Sequence, residues 1–590
     1  MRRAGSGRAG AMIVAALAAG LLAACAGPVA GPVSEVRVGR TFTGNYLAGR
    51  YAQTRDDFSA AASFYRAALD QAPNDAELLR RAMLLTAGEG DIDQALDYAG
   101  RVQALEPAAP FSDLLLILHS INTGELIEAE RMADRMDRGG VNGLLAPVVD
   151  AWIRYGRGRS GEAVTALDRL AGNPAFASFR YQHAALIHDL AGQTDGATAN
   201  YELALSAGGP TSVRLIQAYA SHLVRTGNRD MAGQLYREML RDAPESTTLR
   251  RTLARIEAGD DLPRTVPDYR AGIAEALYSV AGLLLRDQVL GAALFYGRLA
   301  LYMRPDFADA RYLVGEIYER AGDHRAALDT FRTIDDDGAV ADAAAIRIAE
   351  NLARKGETEQ AETLLKARVD AGQRDAVISL AEIYRQQERW DDAAAAYGQV
   401  IASLGGQPGP EQWDLFYARG VAYERAGRWP EAEADFLTAL QLSPDQPLVL
   451  NYLGYSWVEK GMNLARARGM LERAVALRPR DGFIIDSLGW ALYQLGLFDE
   501  AVERLEQAVM LQPNDPTIND HLGDAYWRVG RDREARFQWS HALVFNPEPA
   551  QAEALRRKLN EGLPPAAGIL RSAGVVDASG ASIARAAAAE

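Results

Sequence analysis

A period of 34 residues constrains this chain more than any other feature of its sequence. Two helices of roughly 12–14 residues and two short turns fit into such a period. The recurring residues are small or helix-ending, since glycine and alanine allow two helices to cross closely and proline ends a helix. The stretch 481–547 therefore predicts two successive helical hairpins. Its matching pairs are Gly489 and Gly523, Ala501 and Ala535, Ala508 and Ala542, and Pro513 and Pro547.

An alanine at the same place in the period can be followed through most of the chain. A single hairpin cannot cover its own apolar face, whereas stacked hairpins can. A register kept over about fourteen units therefore predicts an all-α solenoid. An ordinary helical bundle is the alternative, but bundles keep no fixed repeat period. The positions are Ala61, Ala95, Ala129, Ala163, Ala197, Ala232, Ala293, Ala327, Ala361, Ala393, Ala432, Ala467, Ala501 and Ala535.

An early Leu-Gly pair such as Leu488–Gly489, followed by two alanines and a closing proline, resembles the tetratricopeptide repeat. This resemblance implies a right-handed superhelical solenoid of helix–turn–helix repeats. The register slips between Ala232 and Ala293, which are 61 residues apart instead of a multiple of 34. Pro263 and Pro267 interrupt helix formation in this interval. We expect the slipped segment to join two arms and to be the first site of proteolysis.

The repeats divide the chain into predicted segments with different roles. A stack of hairpins needs a polar capping helix at its end. The last residues are mainly Pro, Gly, Ala and Ser, a composition that predicts disorder. The segments are a signal peptide (1–24), a lipid-anchored tether (25–40), an N-terminal arm (41–245), an irregular junction (246–272), a C-terminal arm (273–548), a capping helix (549–561) and a disordered tail (562–590).

The first 25 residues predict export and lipidation. Basic residues precede an apolar run at 11–22 that is too short to span a bilayer. The run ends in Leu22-Ala23-Ala24-Cys25, which resembles a bacterial lipobox. That resemblance implies cleavage before Cys25, lipid on its sulfur, and attachment to the outer membrane facing the periplasm. The alternative is an ordinary secretory signal with a stray cysteine, although a lone thiol in a secreted protein itself requires an explanation.

The net charge of −15 limits the classes of partner. Removal of the predicted signal peptide takes away three arginines and leaves −18. A chain this acidic is not expected to bind nucleic acid or an anionic membrane through a broad basic patch. We therefore expect contact with the membrane through the lipid anchor only.

The sequence predicts neither an enzyme nor a cofactor or metal site. Gly156, Gly158 and Gly161 spell G-x-G-x-x-G, but no strand precedes them and they lie at a predicted turn between two helices. His183 and His188 are five residues apart and do not share a helical face. The only cysteine is the predicted lipid site, so no Cys–His ligand set is available.

A stripe of aromatic and acidic residues on the first helix of the last four repeats is the predicted protein-binding groove. These positions follow helical spacing and are separate from those that pack inside each hairpin. Aromatic anchors of this kind dominate many protein interfaces. The alternative is that the rings fill gaps between tightly coiled repeats. The predicted groove residues are Tyr417, Asn451, Tyr455, Asp486, Trp490, Tyr493, Asp520, Asp524 and Trp527.

The layout also resembles the tetratricopeptide lipoproteins that partner periplasmic carboxyl-terminal processing proteases. The resemblance rests on the lipobox, the repeat content and the segments 450–455 and 486–490. It implies an adaptor that binds the protease and delivers cell-wall hydrolases to it. One alternative is a scaffold for another envelope machine, such as outer-membrane protein assembly or polysaccharide or pilus export. An enzyme with appended repeats is disfavoured, because the repeats leave no stretch long enough for a catalytic domain.

Overall fold

A computed structural model describes residues 38–106, 109–136, 139–208, 212–242, 246–335, 340–406 and 408–565. The predicted signal peptide, the lipid site Cys25 and most of the predicted tail lie outside these ranges. Within them the regular secondary structure consists of thirty α-helices and a few short 3-10 turns. Successive helices pair as hairpins that stack into tetratricopeptide-like solenoid repeats, so the predicted fold class is confirmed.

The helices form two compact units that divide between Ile383 and Tyr384. We call residues 38–383 the N-terminal unit and residues 384–565 the C-terminal unit. The helices of the N-terminal unit are α1 (Phe42–Thr54), α2 (Phe58–Leu69), α3 (Ala76–Glu89), α4 (Ile92–Leu105), α5 (Pro110–Asn122), α6 (Leu126–Ala133), α7 (Asn142–Gly156), α8 (Ser160–Ala166), α9 (Ala177–Leu190), α10 (Thr194–Ser206), α11 (Val213–Arg225), α12 (Arg229–Asp242), α13 (Thr247–Glu257), α14 (Tyr269–Arg286), α15 (Leu290–Met303), α16 (Ala308–Arg320), α17 (His324–Phe331), α18 (Ala341–Arg354) and α19 (Thr358–Asp370).

The C-terminal unit follows the repeat pattern to its end. One helix, α20 (Arg374–Gln386), contains the division between the units. The predicted capping segment corresponds to the last helix. The helices are α21 (Trp390–Ala402), α22 (Trp413–Arg425), α23 (Trp429–Leu442), α24 (Pro447–Glu459), α25 (Leu464–Leu477), α26 (Gly482–Gln494), α27 (Phe498–Leu511), α28 (Pro516–Arg528), α29 (Asp532–Val544) and α30 (Pro549–Glu561).

The repeat alanine marks the place where the two helices of each hairpin cross. All fourteen of the predicted alanines have an exposed fraction of 0%. The glycine on the partner helix is equally constrained: a Cβ at Gly489 would lie 2.6 Å from the Leu505 side chain, and one at Gly420 would lie 2.7 Å from Phe436. Both small residues are therefore required by the short distance between the helices.

A second periodic glycine, absent from the sequence interpretation, lies in the turn inside eleven of the fourteen hairpins. It adopts a left-handed conformation, which glycine reaches without strain. Gly158 has φ of +77°, so the G-x-G-x-x-G motif is a helix–helix turn, as predicted. These glycines precede the repeat alanine by five or six residues. They are Gly90, Gly124, Gly158, Gly192, Gly227, Gly322, Gly356, Gly427, Gly461, Gly496 and Gly530.

The hairpin formed by α14 and α15 packs against the first helices of earlier repeats in the N-terminal unit. Helix α14 contacts α7, and α15 contacts α3 and α5. Residues 271–277 of α14 are all buried, so this part of the helix is covered on every side. Tyr318 of α16 donates a hydrogen bond to the Gly88 carbonyl at 3.1 Å, and His119 lies 3.0 Å from the Tyr302 hydroxyl. The N-terminal unit thus closes on its own later repeats.

A buried carboxylate fixes the position of α14. The exposed fraction of Glu275 is 2%, and Arg214 of α11 binds both of its oxygens, at 3.1 and 2.7 Å. Burial disfavours the charge of Arg214, but Glu275 outweighs that effect and raises the pKa of the guanidinium. A bidentate pair of this kind also restricts the orientation of α14.

The predicted junction (246–272) lies within the N-terminal unit and is attached to it at several points. Leu262 and Val266 are buried. Ser221 donates a hydrogen bond to the Pro263 carbonyl at 2.7 Å, and Arg304 donates one to the Thr265 carbonyl at 2.8 Å. The compact units divide elsewhere, at residue 383. Preferential proteolysis of the junction stays a prediction.

The contact between α14 and α7 leads to a stability prediction. A Cβ at Gly272 would lie 2.2 Å from a ring carbon of Trp152, so Gly272→Ala should overpack this contact and destabilise the protein by roughly 1–3 kcal/mol. A Cβ at Gly282 on the same helix would have no neighbour within 4 Å, so Gly282→Ala should be neutral or stabilise by about 0.5–1 kcal/mol. Urea unfolding followed by circular dichroism measures both. Equal midpoints for the two variants would contradict the proposed packing.

Candidate protein-binding surface

The first helices of the hairpins have different neighbours in the two units. In the N-terminal unit, α3, α5 and α7 contact α14 or α15, so that face is occupied by the chain itself. In the C-terminal unit, the corresponding helices α22, α24, α26 and α28 carry the predicted groove. A partner site on the first helices is therefore expected in the C-terminal unit.

Five of the nine predicted groove residues are buried, and the expectation of an open acidic stripe is wrong for them. Consecutive first helices pack so closely that each of these side chains faces a neighbouring helix. For Tyr417 and Tyr493 the alternative interpretation holds, because their rings fill space between repeats. Asn451, Tyr455, Trp490 and Trp527 are half-buried. The buried residues, with exposed fractions of 5–8%, are Tyr417, Asp486, Tyr493, Asp520 and Asp524.

Asp520 and Asp524 form ion pairs with a lysine of the capping helix. Lys558 Nζ of α30 lies 2.6 Å from Asp520 and 2.8 Å from Asp524. Trp539 Nε1 also donates a hydrogen bond to Asp524, at 2.9 Å. Burial lowers the pKa of Lys558, but the two carboxylates outweigh burial and raise it. These aspartates therefore anchor α30 and are not available to set the charge preference of a partner.

Asp486 contacts a stack of three rings that joins α26 to α28. His521 Nδ1 lies 3.0 Å from Asp486, and the His521 ring stacks on Trp490 with ring centroids 4.0 Å apart. Trp490 stacks in turn on Tyr493 at 4.7 Å. Burial opposes protonation of His521, but the nearby carboxylates, Asp486 first, raise its pKa. A protonated His521 neutralises Asp486 at the contact between the repeats.

Trp527 is covered by the chain that follows the capping helix. A Cβ at Gly562 would lie 2.1 Å from the Trp527 ring, so only glycine fits against it. Arg528 donates hydrogen bonds to the Pro564 carbonyl at 2.6 Å and to the Tyr493 hydroxyl at 3.0 Å. Trp527 thus holds the start of the C-terminal segment in place.

An accessible set of side chains remains on α24 and α26, and we call it the aromatic rim. Phe483 is 42% exposed, and it lies on the same face of α26 as Trp490, two turns away. Trp490 Nε1 donates a hydrogen bond to Glu459 of α24 at 3.0 Å, which links the two helices. Asn451, Tyr455 and Glu459 follow each other at single-turn intervals along α24. The rim consists of Asn451, Tyr455, Glu459, Phe483 and Trp490.

The side-chain oxygen of Asn451 is enclosed, and no donor within the described residues reaches it. An enclosed acceptor without a donor costs roughly 1–3 kcal/mol of stability, and it is not open to a partner. Glu459 was absent from the predicted groove, and its position one turn after Tyr455 is the signal that could have identified it.

Other titratable clusters in the described part of the chain are structural. No group of three or more His, Cys, Asp or Glu residues there is arranged to hold a metal ion. His222 lies 2.8 Å from Asp189 and 2.9 Å from Thr198, but its exposed fraction is 1%. These contacts connect α9, α10 and α11 inside the N-terminal unit. Tetratricopeptide folds are typically non-catalytic scaffolds.

None of the described helices is both long enough and apolar enough to cross a bilayer.

Comparisons with known proteins identify the repeats. Models of the tetratricopeptide repeat match residues 346–408, 378–447 and 489–530. The TPR repeat-containing protein PA4667 of Pseudomonas aeruginosa is 28% identical over 193 residues, which are 32% of this chain and 32% of that protein. Protein O-mannosyl-transferase Tmtc1 of Drosophila melanogaster is 30% identical over 102 residues, 17% of this chain and 12% of that protein. The match thus spans about a third or less of these curated relatives.

Some solved structures are similar to this chain, over parts of different length. The APC/C hetero-tetramer Cut9–Hcn1 covers 87% of this chain and 96% of its own, with 14% identity and a TM-score of 0.35. A structure of the MamA protein covers 32% of this chain and 96% of its own, with 21% identity and a TM-score of 0.25.

The contact of Lys558 with two buried aspartates leads to a second prediction. Lys558→Met leaves both carboxylates without a counter-charge, which should destabilise the C-terminal unit by roughly 3–5 kcal/mol. Combining it with Asp520→Asn and Asp524→Asn should restore most of the loss. Arg556→Met on the exposed side of α30 is the control, with an expected effect within about 0.5 kcal/mol. Urea unfolding followed by tryptophan fluorescence measures the series, and equal midpoints for Lys558→Met and Arg556→Met would refute the assignment.

Proposed function

We propose that this protein is a non-enzymatic scaffold or adaptor that binds a protein partner through the aromatic rim. Stacked tetratricopeptide repeats are suited to protein–protein interaction. The observation that carries the proposal is Phe483, a large aromatic side chain that is 42% exposed on the same helix as the half-buried Trp490.

The rim defines the chemistry of the partner segment. An apolar side chain can pack on Phe483 and Trp490, because large aromatic surfaces are common anchors. The exposed carboxylate of Glu459 favours a nearby cation. The rim lies on two helices, so a short extended or helical segment matches its extent. We infer a partner segment with an apolar anchor next to Lys or Arg.

The proposed setting is the periplasmic side of the outer membrane, with the chain attached through lipid on Cys25. The support is the lipobox-like sequence ending at Cys25 and the absence of any other cysteine. By resemblance, the partners include a carboxyl-terminal processing protease and cell-wall hydrolases. A scaffold for another envelope machine remains the second candidate, since a generic repeat surface serves either assembly.

A matched pair of phenylalanine variants tests the rim. Phe483→Ala should reduce affinity for the captured partner about thirtyfold, the effect of losing an anchor worth roughly 2 kcal/mol. Phe537→Ala on α29 is the control, since Phe537 is 64% exposed and lies outside the rim. Partners are captured from envelope extracts with the wild type, identified by mass spectrometry, and titrated against each variant. Equal loss with both variants, or loss with neither, would refute the rim as the binding site.

The lipid anchor has its own test. Mass spectrometry of the mature N-terminus should find acylated Cys25, and Cys25→Ser should move the protein from the membrane fraction to the soluble fraction. An unmodified mature start at another residue would overturn the proposed attachment and leave the test of the rim unaffected.

A further inference from the structure

Helix α1 is the first helix that the structure describes, and one of its faces carries exposed apolar side chains. Leu47 is 58% exposed and Tyr51 is 69% exposed. The two residues are one turn apart and therefore share a face. Val38, just before the helix, is also exposed. Side chains of this size seldom stay in water without a partner when they form a patch.

The helix and the residues that flank it are locally basic. Residues 38–55 contain three arginines and no Asp or Glu, although the whole chain has a net charge of −15. Arg40, Arg50 and Arg55 are exposed, and none of them forms a salt bridge within the described ranges. The first acidic residues afterwards are Asp56 and Asp57, and the Asp57 side chain accepts a hydrogen bond from Ala60 N at the start of α2. The patch is thus apolar and locally basic.

The distance to the proposed lipid site is short. Residues 26–37 separate Cys25 from Val38. Even a fully extended chain spans at most about 3.3–3.6 Å per residue, so this segment keeps Val38, which precedes α1, within roughly 45 Å of the anchored residue. A tether of this length gives α1 a high effective concentration at the bilayer surface.

We propose that the exposed face of α1 rests on the anionic phospholipid surface into which Cys25 is anchored. Leu47 and Tyr51 enter the headgroup region, where amphipathic helices and tyrosine rings are favoured. Arg40, Arg50 and Arg55 meet lipid phosphates, and their attraction adds to that of the apolar residues. This inference rests on the proposed lipid anchor. It adds a second membrane contact and fixes the orientation of the first repeat, which a flexible anchor alone does not.

The single cysteine of the chain allows a fluorescent label to be placed at one chosen position. Cys25 is its only cysteine, so Leu47→Cys in the lipidated protein introduces a single free thiol for a fluorescent label. The full chain is reconstituted into phosphatidylcholine vesicles that contain phosphatidylglycerol and a lipid-borne quencher. Phe537→Cys, which also labels an exposed position, is the control.

The label at residue 47 should be quenched at least about twofold more than the label at residue 537, because an interfacial helix buries one face in the headgroup region. Adding Arg40→Gln, Arg50→Gln and Arg55→Gln, or raising the salt concentration, should reduce the difference. Equal quenching at both positions, with acylated Cys25 verified by mass spectrometry, overturns the inference and leaves the anchor intact. Protection of the residue 47 label in detergent, with a dimer in sedimentation, assigns the face to a second copy instead. Absence of lipid on Cys25 overturns both the anchor and this contact.

Discussion

The close crossing of two helices at each repeat alanine is the constraint on which the rest of this structure depends. A methyl group is the largest side chain that the crossing admits on one helix, and on the other helix glycine faces a large residue such as Leu505 or Phe436. Because the two helices of a hairpin lie close together, neighbouring hairpins also pack closely. Close stacking gives each of the two units an extended core built from successive hairpins. It also decides which surface side chains stay accessible to a partner.

This constraint explains how far the sequence predicts the fold. The crossing alanines form one position per period, so their spacing identifies every hairpin in which they occur, and each of them is buried as expected. The hairpin α14–α15 shows where periodicity is insufficient. Its own alanine, Ala293, is in register, but the packing of α14 on α7 depends on contacts between distant repeats. Residues 271–277 are small or apolar apart from Glu275, but this composition does not show which helix lies against them.

The candidate site was less predictable for a related reason. Helical spacing shows which side chains share a face, but not how near the next helix lies. Asp520 and Asp524 share the face of Trp527, yet Lys558 binds both from α30. A buried carboxylate requires a cation or several donors, so such aspartates indicate a contact between repeats as readily as a partner site. The half-buried Trp490 and the exposed Phe483 lie two turns apart on one face of a helix, and their spacing alone does not show which of them is covered.

The N-terminal unit shows what the first-helix face of these repeats can accept. Its occupant, α14, presents small residues where it meets Trp152 and a single carboxylate, Glu275, where it meets Arg214. Small residues permit close approach, and one buried ion pair fixes orientation at a desolvation cost that only good geometry offsets. The rim of the C-terminal unit differs from that occupied face, because the Phe483 ring and the Glu459 carboxylate are exposed. A partner there needs an apolar side chain that packs on Phe483, and a smooth alanine-rich helix would leave that ring uncovered.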